Sequence, residues 1–234
     1  MRIFVNGDSH TSGSELYFPT QDAYPYQLAK LLNGEIIGNP AIGGASNDRI
    51  LRTTEEYLRE CERTDEYPDL IVIGWSEPCR TDWFVNGVYE SIYSHNLTPE
   101  RTKQLDPTRA KFHIDVWRQP EIVCGLARYF HERMYNLHKQ LEYLNIPHLF
   151  FMAVSPLKID LYRHKLAIHE TFDNSIIEYD WNDCFWNPYE DEDGSFRTWG
   201  VNKGYPETKW HHLNEDAHTD FAQTLYQYIN TRIF

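Results

Sequence analysis

Apolar residues along the 234-residue chain fall into two alternating patterns. Ile3-Phe4-Val5, Leu70-Ile71-Val72-Ile73 and Leu149-Phe150-Phe151-Met152-Ala153-Val154 are short continuous runs bounded by turn residues. That is the signature of strands buried on both faces. Glu35-Ile36-Ile37-Gly38 adds a briefer one. Between the runs lie amphipathic stretches. A short helix is expected over Tyr26 to Leu32, closed by Asn33-Gly34. A second, capped by Ser46 or Asn47, carries Ile50, Leu51, Tyr57, Leu58 and Cys61 on one face. From Pro120 a long helix carries Ile122, Leu126, Phe130, Met134, Leu137, Leu141 and Leu144 at steps of three and four. The last begins at Asn214, with Glu215 and Asp216 in its first turn and Ala217, Phe221, Leu225, Tyr228 and Ile229 as its stripe. Strands alternating with helices predict a parallel sheet covered on both faces. Residues 75–119 and 155–210 show no clean period and read as irregular insertions into one domain spanning 1–234.

Charge and composition narrow the partners. Lys plus Arg number 22 against 35 acids, a net charge of −13 that repels phosphate backbones and argues against nucleic acid. No apolar run approaches membrane-spanning length, and Met1-Arg2 leads directly into the first strand, so a cytoplasmic site of synthesis is expected. The four cysteines (61, 79, 124 and 184) form no CxxC pair, which argues against a zinc ribbon. Aromatic residues make up 15% of the chain, and most tryptophans lie in the irregular segments, so a few are expected to be exposed near the sheet edge.

The strongest candidate chemistry is Gly7-Asp8-Ser9-His10-Thr11, directly after the first strand. A serine there stands on the ligand-binding edge of an α/β sheet. Asn39-Pro-Ala-Ile-Gly43-Gly44 follows the second strand and precedes a helix, so its glycines can bring backbone donors to the same edge. His212-Leu213-Asn214 stands just before the last helix. Together these junctions supply a nucleophile, oxyanion donors and a base.

In these blocks the sequence resembles the SGNH (GDSL-type) hydrolase superfamily. Gly7-Asp8-Ser9 matches its first block, with Ser9 as the implied nucleophile; Asn39 and Gly44 match the second, in which the glycine N–H serves the oxyanion hole. Gly74-Trp75-Ser76-Glu77 occupies the third, where the family has Gly-x-Asn-Asp, and His212-Leu-Asn resembles the His-Pro-Asn that carries the base. The resemblance implies a three-layer α/β/α sandwich with a central parallel, flavodoxin-like sheet. It implies ester hydrolysis by Ser9 and His212, with an oxyanion hole of Ser9, Gly44 and Ser76, and neither metal nor cofactor. The form of the third block, with Arg80 nearby, also looks like that of SGNH proteins encoded by large tailed bacteriophages.

Two departures from the family pattern shape the remaining expectations. Ser76 replaces the oxyanion-hole Asn, with Arg80 and Asn47 as alternative donors. Lys209 stands where the family has the aspartate that orients the histidine, leaving Glu207 or a backbone carbonyl for that role. His218, in Glu215-Asp-Ala-His218, and His211 are rival bases to His212. Asp8, His10, Asn47, Trp75 and Arg80 are the candidate substrate contacts. His131 and His138 read as a solvated helix face, while His164 and His169 lack a clustered third ligand. Asp191-Glu-Asp193 lacks the distal Glu of a calcium loop. The expected substrate is a small acyl ester, with an O-acetylated carbohydrate favoured by the aromatic, acidic loops. The competing expectation is an SGNH-fold module that binds a glycan or a virion partner without turnover.

Overall fold

The computed structural model describes residues 1–77, 80–85, 87–92, 120–157, 178–189 and 193–234. Its centre is a sheet of four parallel strands, β1 (Arg2–Gly7), β2 (Glu35–Gly38), β3 (Leu70–Trp75) and β6 (His148–Met152), in the order β2-β1-β3-β6. Alternation within the apolar runs sorts the core into two faces. Ile3, Val5, Leu70, Val72, Leu149 and Phe151 meet Tyr24 and Leu28 of α3 (Tyr24–Leu31) and Phe221, Leu225 and Ile229 of α7 (Glu215–Arg232). Phe4, Ile71, Ile73, Phe150 and Met152 meet Ile50, Leu51 and Leu58 of α4 (Asn47–Thr64) and Phe130, Met134, Leu137 and Leu141 of α5 (Pro120–Tyr143). The architecture is therefore a three-layer α/β/α sandwich. Each fully buried Leu, Ile or Phe stabilises it by roughly 1.5–3 kcal/mol.

Counting parallel strands alone, the order is that of a flavodoxin-like sheet, whose crevice lies where strand order reverses, between β1 and β3. Among the described residues the far edge of β6 carries no fifth full strand. Cys184–Trp186 lies there instead, joined by one parallel bridge, Phe150 to Phe185.

Helix ends follow the expected chemistry. Ser46 accepts the Arg49 N–H to start α4, and Asn214 accepts the Ala217 N–H to start α7. α3 begins at Tyr24, two residues before the expected start, because Pro25 fits a first turn that needs no N–H.

Both irregular segments contain ordered structure. Thr81–Val85 (β4) and Val88–Ile92 (β5) form an antiparallel hairpin whose tight turn places Gly87 at φ +84°, a conformation glycine adopts without strain. The hairpin is tied to α4 by Arg52 to Asp82 at 3.0 Å and by the Asp48 carboxylate, which accepts the Asp82 N–H at 2.9 Å. In the second segment, α6 (Phe196–Asn202) begins with a capping box of Ser195 and Thr198.

Two expectations about side chains are corrected. Trp75, Trp181, Trp186 and Trp199 are buried, the last three because residues 181–189 and 195–199 pack against the two core faces; Trp83 is half-buried and Trp210 exposed. Most of the described tryptophans thicken the core rather than line a groove. His131 and His138 are buried too, packed against Tyr179 and Trp181 rather than solvated. Trp117, His164, His169, Asp191 and Glu192 lie outside the described residues.

Candidate active site

Ser9 opens α1 (Ser9–Ser12), a single turn standing at the carboxyl ends of β1 and β3. The space for that turn comes from two glycines paired across the strands, Gly7 and Gly74. A Cβ on Gly7 would lie 2.0 Å from Thr11 Oγ1 and 2.8 Å from the Gly74 carbonyl; one on Gly74 would lie 2.8 Å from Thr11 Oγ1. Asp8 caps the turn by accepting the His10 N–H at 3.0 Å, and Gly13 ends it at φ +72°. Thr11 Oγ1 pairs with the Tyr24 hydroxyl at 2.9 Å, fixing the turn to α3. Ser9 itself is 8% exposed.

Beneath Ser9 lies a buried polar network. Ser76 Oγ donates to Asp8 Oδ2 at 3.1 Å, and the Ser76 N–H donates to Asn47 Oδ1 at 2.9 Å. Asn47 Nδ2 donates to the Glu77 carbonyl at 3.0 Å, and Arg80 Nη1 stands 3.9 Å from Asp8 Oδ2 and donates to the Ala45 carbonyl. Burial pushes the Asp8 carboxyl above the usual carboxylate range, opposed by the Arg80 guanidinium and the hydrogen bonds of His10 and Ser76. This geometry corrects several expectations. Both Ser76 donors point inward, the hydroxyl to Asp8 and the N–H to Asn47, rather than outward as an oxyanion donor would, and the Asn47 amide is spent on the Ser76–Glu77 backbone. Asp8, Asn47, Trp75 and Arg80 are buried: the three polar residues belong to this network and Trp75 to the α5-side core against Phe150.

The histidines separate clearly. His212 sits at the base of a small hairpin loop in which the Thr208 N–H donates to the His212 carbonyl at 2.8 Å and the His212 N–H to Thr208 Oγ1 at 3.1 Å. Its Nδ1 is 2.6 Å from Glu15 Oε2, and its ring packs edge-on against His10, the neighbour of Ser9, with centroids 5.1 Å apart. A carboxylate can only accept, so Nδ1 carries a proton, and it is Nε2 that bears the lone pair whenever the ring is neutral. Desolvation pushes the Glu15 carboxyl up, but hydrogen bonds from Thr208 and His212 outweigh it and hold the group below its ordinary value. The expected acid, Glu207, instead binds Arg197 at 2.6 Å and the exposed His211 at 3.4 Å. His218 lies inside α7, buried, where its Nδ1 accepts the Tyr24 N–H at 3.1 Å; burial pushes it down to about 3. It is a core histidine. His10 is buried as well, held neutral chiefly by burial, and packs against His212 and Phe196 rather than offering a substrate contact.

Gly44 takes φ +76° in a turn closed by the Ala45 N–H and the Ile42 carbonyl at 3.2 Å. Gly43 packs close to Ser14 Oγ, which brings the glycine turn alongside the loop that leaves α1. Asn39 Oδ1 accepts the Ala41 N–H ahead of that turn.

A family model described as "Family of unknown function (DUF6071)" matches residues 4–176. The chain belongs to this family. The matched DUF6071 span holds Ser9, Glu15, Gly44 and Ser76 and ends before His212. No curated protein matches the sequence. Among solved structures, the psychrotrophic esterase EstA from Pseudoalteromonas sp. is similar at 12% identity and TM-score 0.44, over 98% of this chain and 97% of its own. TesA is similar at 13% and 0.48 over 99% of both chains. AlinE4, an SGNH-hydrolase family esterase, is similar at 18% and 0.34 over 70% of this chain and 66% of its own.

Glu15 is the residue that sequence reasoning missed. It lies six positions after Ser9, at φ +69° in the loop leaving α1, and reaches His212 only through tertiary closure. No helix among the described residues is long and apolar enough to cross a membrane.

Proposed function

We propose that this chain is a serine esterase of the SGNH type, with Ser9 as nucleophile, His212 as general base and Glu15 as the residue that orients the base. The observation that carries this reading is the 2.6 Å contact between His212 Nδ1 and Glu15, which frees Nε2 while the ring packs beside the Ser9 turn. Ser9 Oγ attacks the acyl carbonyl as Nε2 takes its proton, and the N–H groups of Ser9 and Gly44 hold the oxyanion. The tetrahedral intermediate collapses with loss of the alcohol, which takes the proton from Nε2. Water, deprotonated by Nε2, then attacks the acyl-serine and releases the acid.

The substrate we favour is a small O-acyl group on a neutral carbohydrate. Trp210 is 66% exposed next to the His212 loop, and Tyr17 and Phe18 are exposed just beyond Glu15. Aromatic faces of this kind suit the apolar faces of a sugar ring, and the net charge of −13 disfavours anionic substrates. A second reading, a module that binds a glycan or virion partner without turnover, is favoured by one observation: Ser76 and Asn47 spend their donors inward.

The experiment is treatment with a serine-directed phosphonate followed by intact mass and peptide mapping, run beside hydrolysis of p-nitrophenyl acyl esters. An adduct on Ser9, with adduct and hydrolysis both lost in Ser9→Ala, supports the esterase. Hydrolysis that survives Ser9→Ala, or the absence of both adduct and hydrolysis in the native chain, overturns it.

A further inference from the structure

We propose that His138, His148 and Cys184 form a binding site for one divalent cation that favours nitrogen and sulfur ligands, zinc foremost, at the end of the sheet opposite Ser9. His138 comes from α5, His148 is the first residue of β6, and Cys184 lies on the segment bridged to β6. One ligand atom from each lies within 4.8 Å of the others. The two histidines are buried and Cys184 is half-buried, which leaves a path for an ion and a solvent ligand.

The hydrogen-bonding geometry of the two rings points to a bound cation. A neutral imidazole has a single N–H to place. His148 Nδ1 lies 2.8 Å from the Ile146 carbonyl, which only accepts, so that nitrogen carries the proton and Nε2 a lone pair. This lone pair faces His138 Nδ1 at 2.9 Å. On the far side of the His138 ring, Nε2 is buried without a hydrogen-bond partner, 3.5 Å from Glu142 Oε1. If the His138 proton sits on Nδ1, a lone pair is set against the Glu142 carboxylate. If it sits on Nε2, two lone pairs oppose each other at 2.9 Å. A cation between His138 Nδ1 and His148 Nε2 resolves both conflicts, taking the two lone pairs and leaving Nε2–H for Glu142.

Each ring would then be held as metal-bound histidines are, one by a backbone carbonyl and one by a carboxylate. Glu142 is itself held by Lys139 and Asn182. Nitrogens bound tetrahedrally at 2.0–2.1 Å lie about 3.3 Å apart, so the rings need separate by only about 0.4 Å. Cys184 Sγ, 3.6 Å from the Asn182 carbonyl, already lies within 4.8 Å of a nitrogen of each ring, and its backbone is held to β6 by the Phe150 N–H at 2.8 Å. Two imidazoles and a thiolate suit zinc better than magnesium or calcium.

The test is titration of chelator-treated full-length chain with Co²⁺. The expected result is saturation at one equivalent, with the strong visible bands of a four-coordinate ion and a near-ultraviolet thiolate-to-cobalt band, both displaced by Zn²⁺. Cys184→Ser should lose the thiolate band and weaken binding at least tenfold. Glu142→Gln, which leaves the ligands in place, should weaken it by about 10- to 100-fold. Since His138 variants risk misfolding, the half-buried Cys184→Ala checks the same point through stability: Zn²⁺ should raise the Tm of the native chain and not of the variant. No saturable site, a spectrum without the thiolate band, or affinity unchanged in Cys184→Ser (binding at surface histidines) overturns the proposal.

Discussion

Replacing Glu15 with Gln keeps the length and shape of the side chain but removes the charge that faces His212 Nδ1 at 2.6 Å. In the proposed mechanism the imidazole becomes cationic as it takes the Ser9 proton, so the lost interaction is strongest in the transition state and should appear in kcat. A hydrogen bond to a charged group contributes a net ~1.5–3 kcal/mol. The two side chains are 14% and 28% exposed, which places this pair in the lower half of that range. At 1.36 kcal/mol per decade, the expected loss is about 13- to 45-fold in kcat, with KM changed little. The assay is steady-state hydrolysis of p-nitrophenyl acetate, with thermal melts to show that the loop carrying Thr208 has not loosened. Glu207→Gln is the paired control. Its carboxylate binds Arg197 and His211, so kcat should stay within about twofold of the native chain. A Glu15→Gln variant with native kcat, or a larger loss from Glu207→Gln, would refute the assignment of the orienting acid.

Three further outcomes are expected. Ser76→Ala strips a donor from buried Asp8 and should cost ~1–3 kcal/mol, a Tm fall of several degrees, with kcat within a few-fold; a ~10²-fold loss of kcat at native Tm would return Ser76 to the oxyanion hole. Gly7→Ala drives a Cβ against Thr11 Oγ1 and the Gly74 carbonyl, so it should cost ~1–3 kcal/mol by denaturant melts and displace α1; native stability would contradict the packing. His218 and His131 have folded values pushed down by burial to about 3 and about 4, well below the ordinary 6.5. Their contribution is therefore full above pH 6.5 and falls as the pH drops toward those values, by up to ~1.4 kcal/mol per pH unit each. Urea midpoints at pH 7 and 5 should differ accordingly, and His218→Gln should flatten the difference; an unchanged slope would count against a buried neutral His218.

Which parts of the chain were legible follows from how local their causes are. β1, β3 and β6 are continuous apolar runs because both faces of each are covered, and α4, α5 and α7 show their stripes because each packs on one face of the sheet. The β4–β5 hairpin packs mainly on α4 and keeps Phe84 and Tyr89 exposed, so no alternation marked it. α1 has four residues, too few for any period, yet its Gly-Asp-Ser start was readable because a sheet edge needs those small residues there. Glu15 was invisible because its partner lies 197 residues away in sequence. The burial of the tryptophans has a similar origin: among the described residues no full fifth strand borders β6, and residues 181–189 and 195–199 pack onto the core, so aromatics in irregular chain became core.

The inward turn of Ser76 bears on the proposed mechanism through the buried network. The Ser76 hydroxyl turns inward to satisfy Asp8, while Asn47 holds the backbone of residues 76 and 77. Asp8 in turn caps the turn that bears Ser9. On the proposed mechanism, a donor that does not serve the oxyanion thus helps to hold the nucleophile in place. Loss of one oxyanion donor costs ~10²–10³ in rate, whereas a nucleophile fixed near its attack geometry recovers part of that barrier. On the proposed mechanism only the backbone donors of Ser9 and Gly44 remain, so the chain should favour acyl groups with good leaving alcohols over unactivated esters. It also follows that weak turnover alone would not separate the two functional readings; covalent capture at Ser9 does, because it requires the nucleophile and its base but not the third donor.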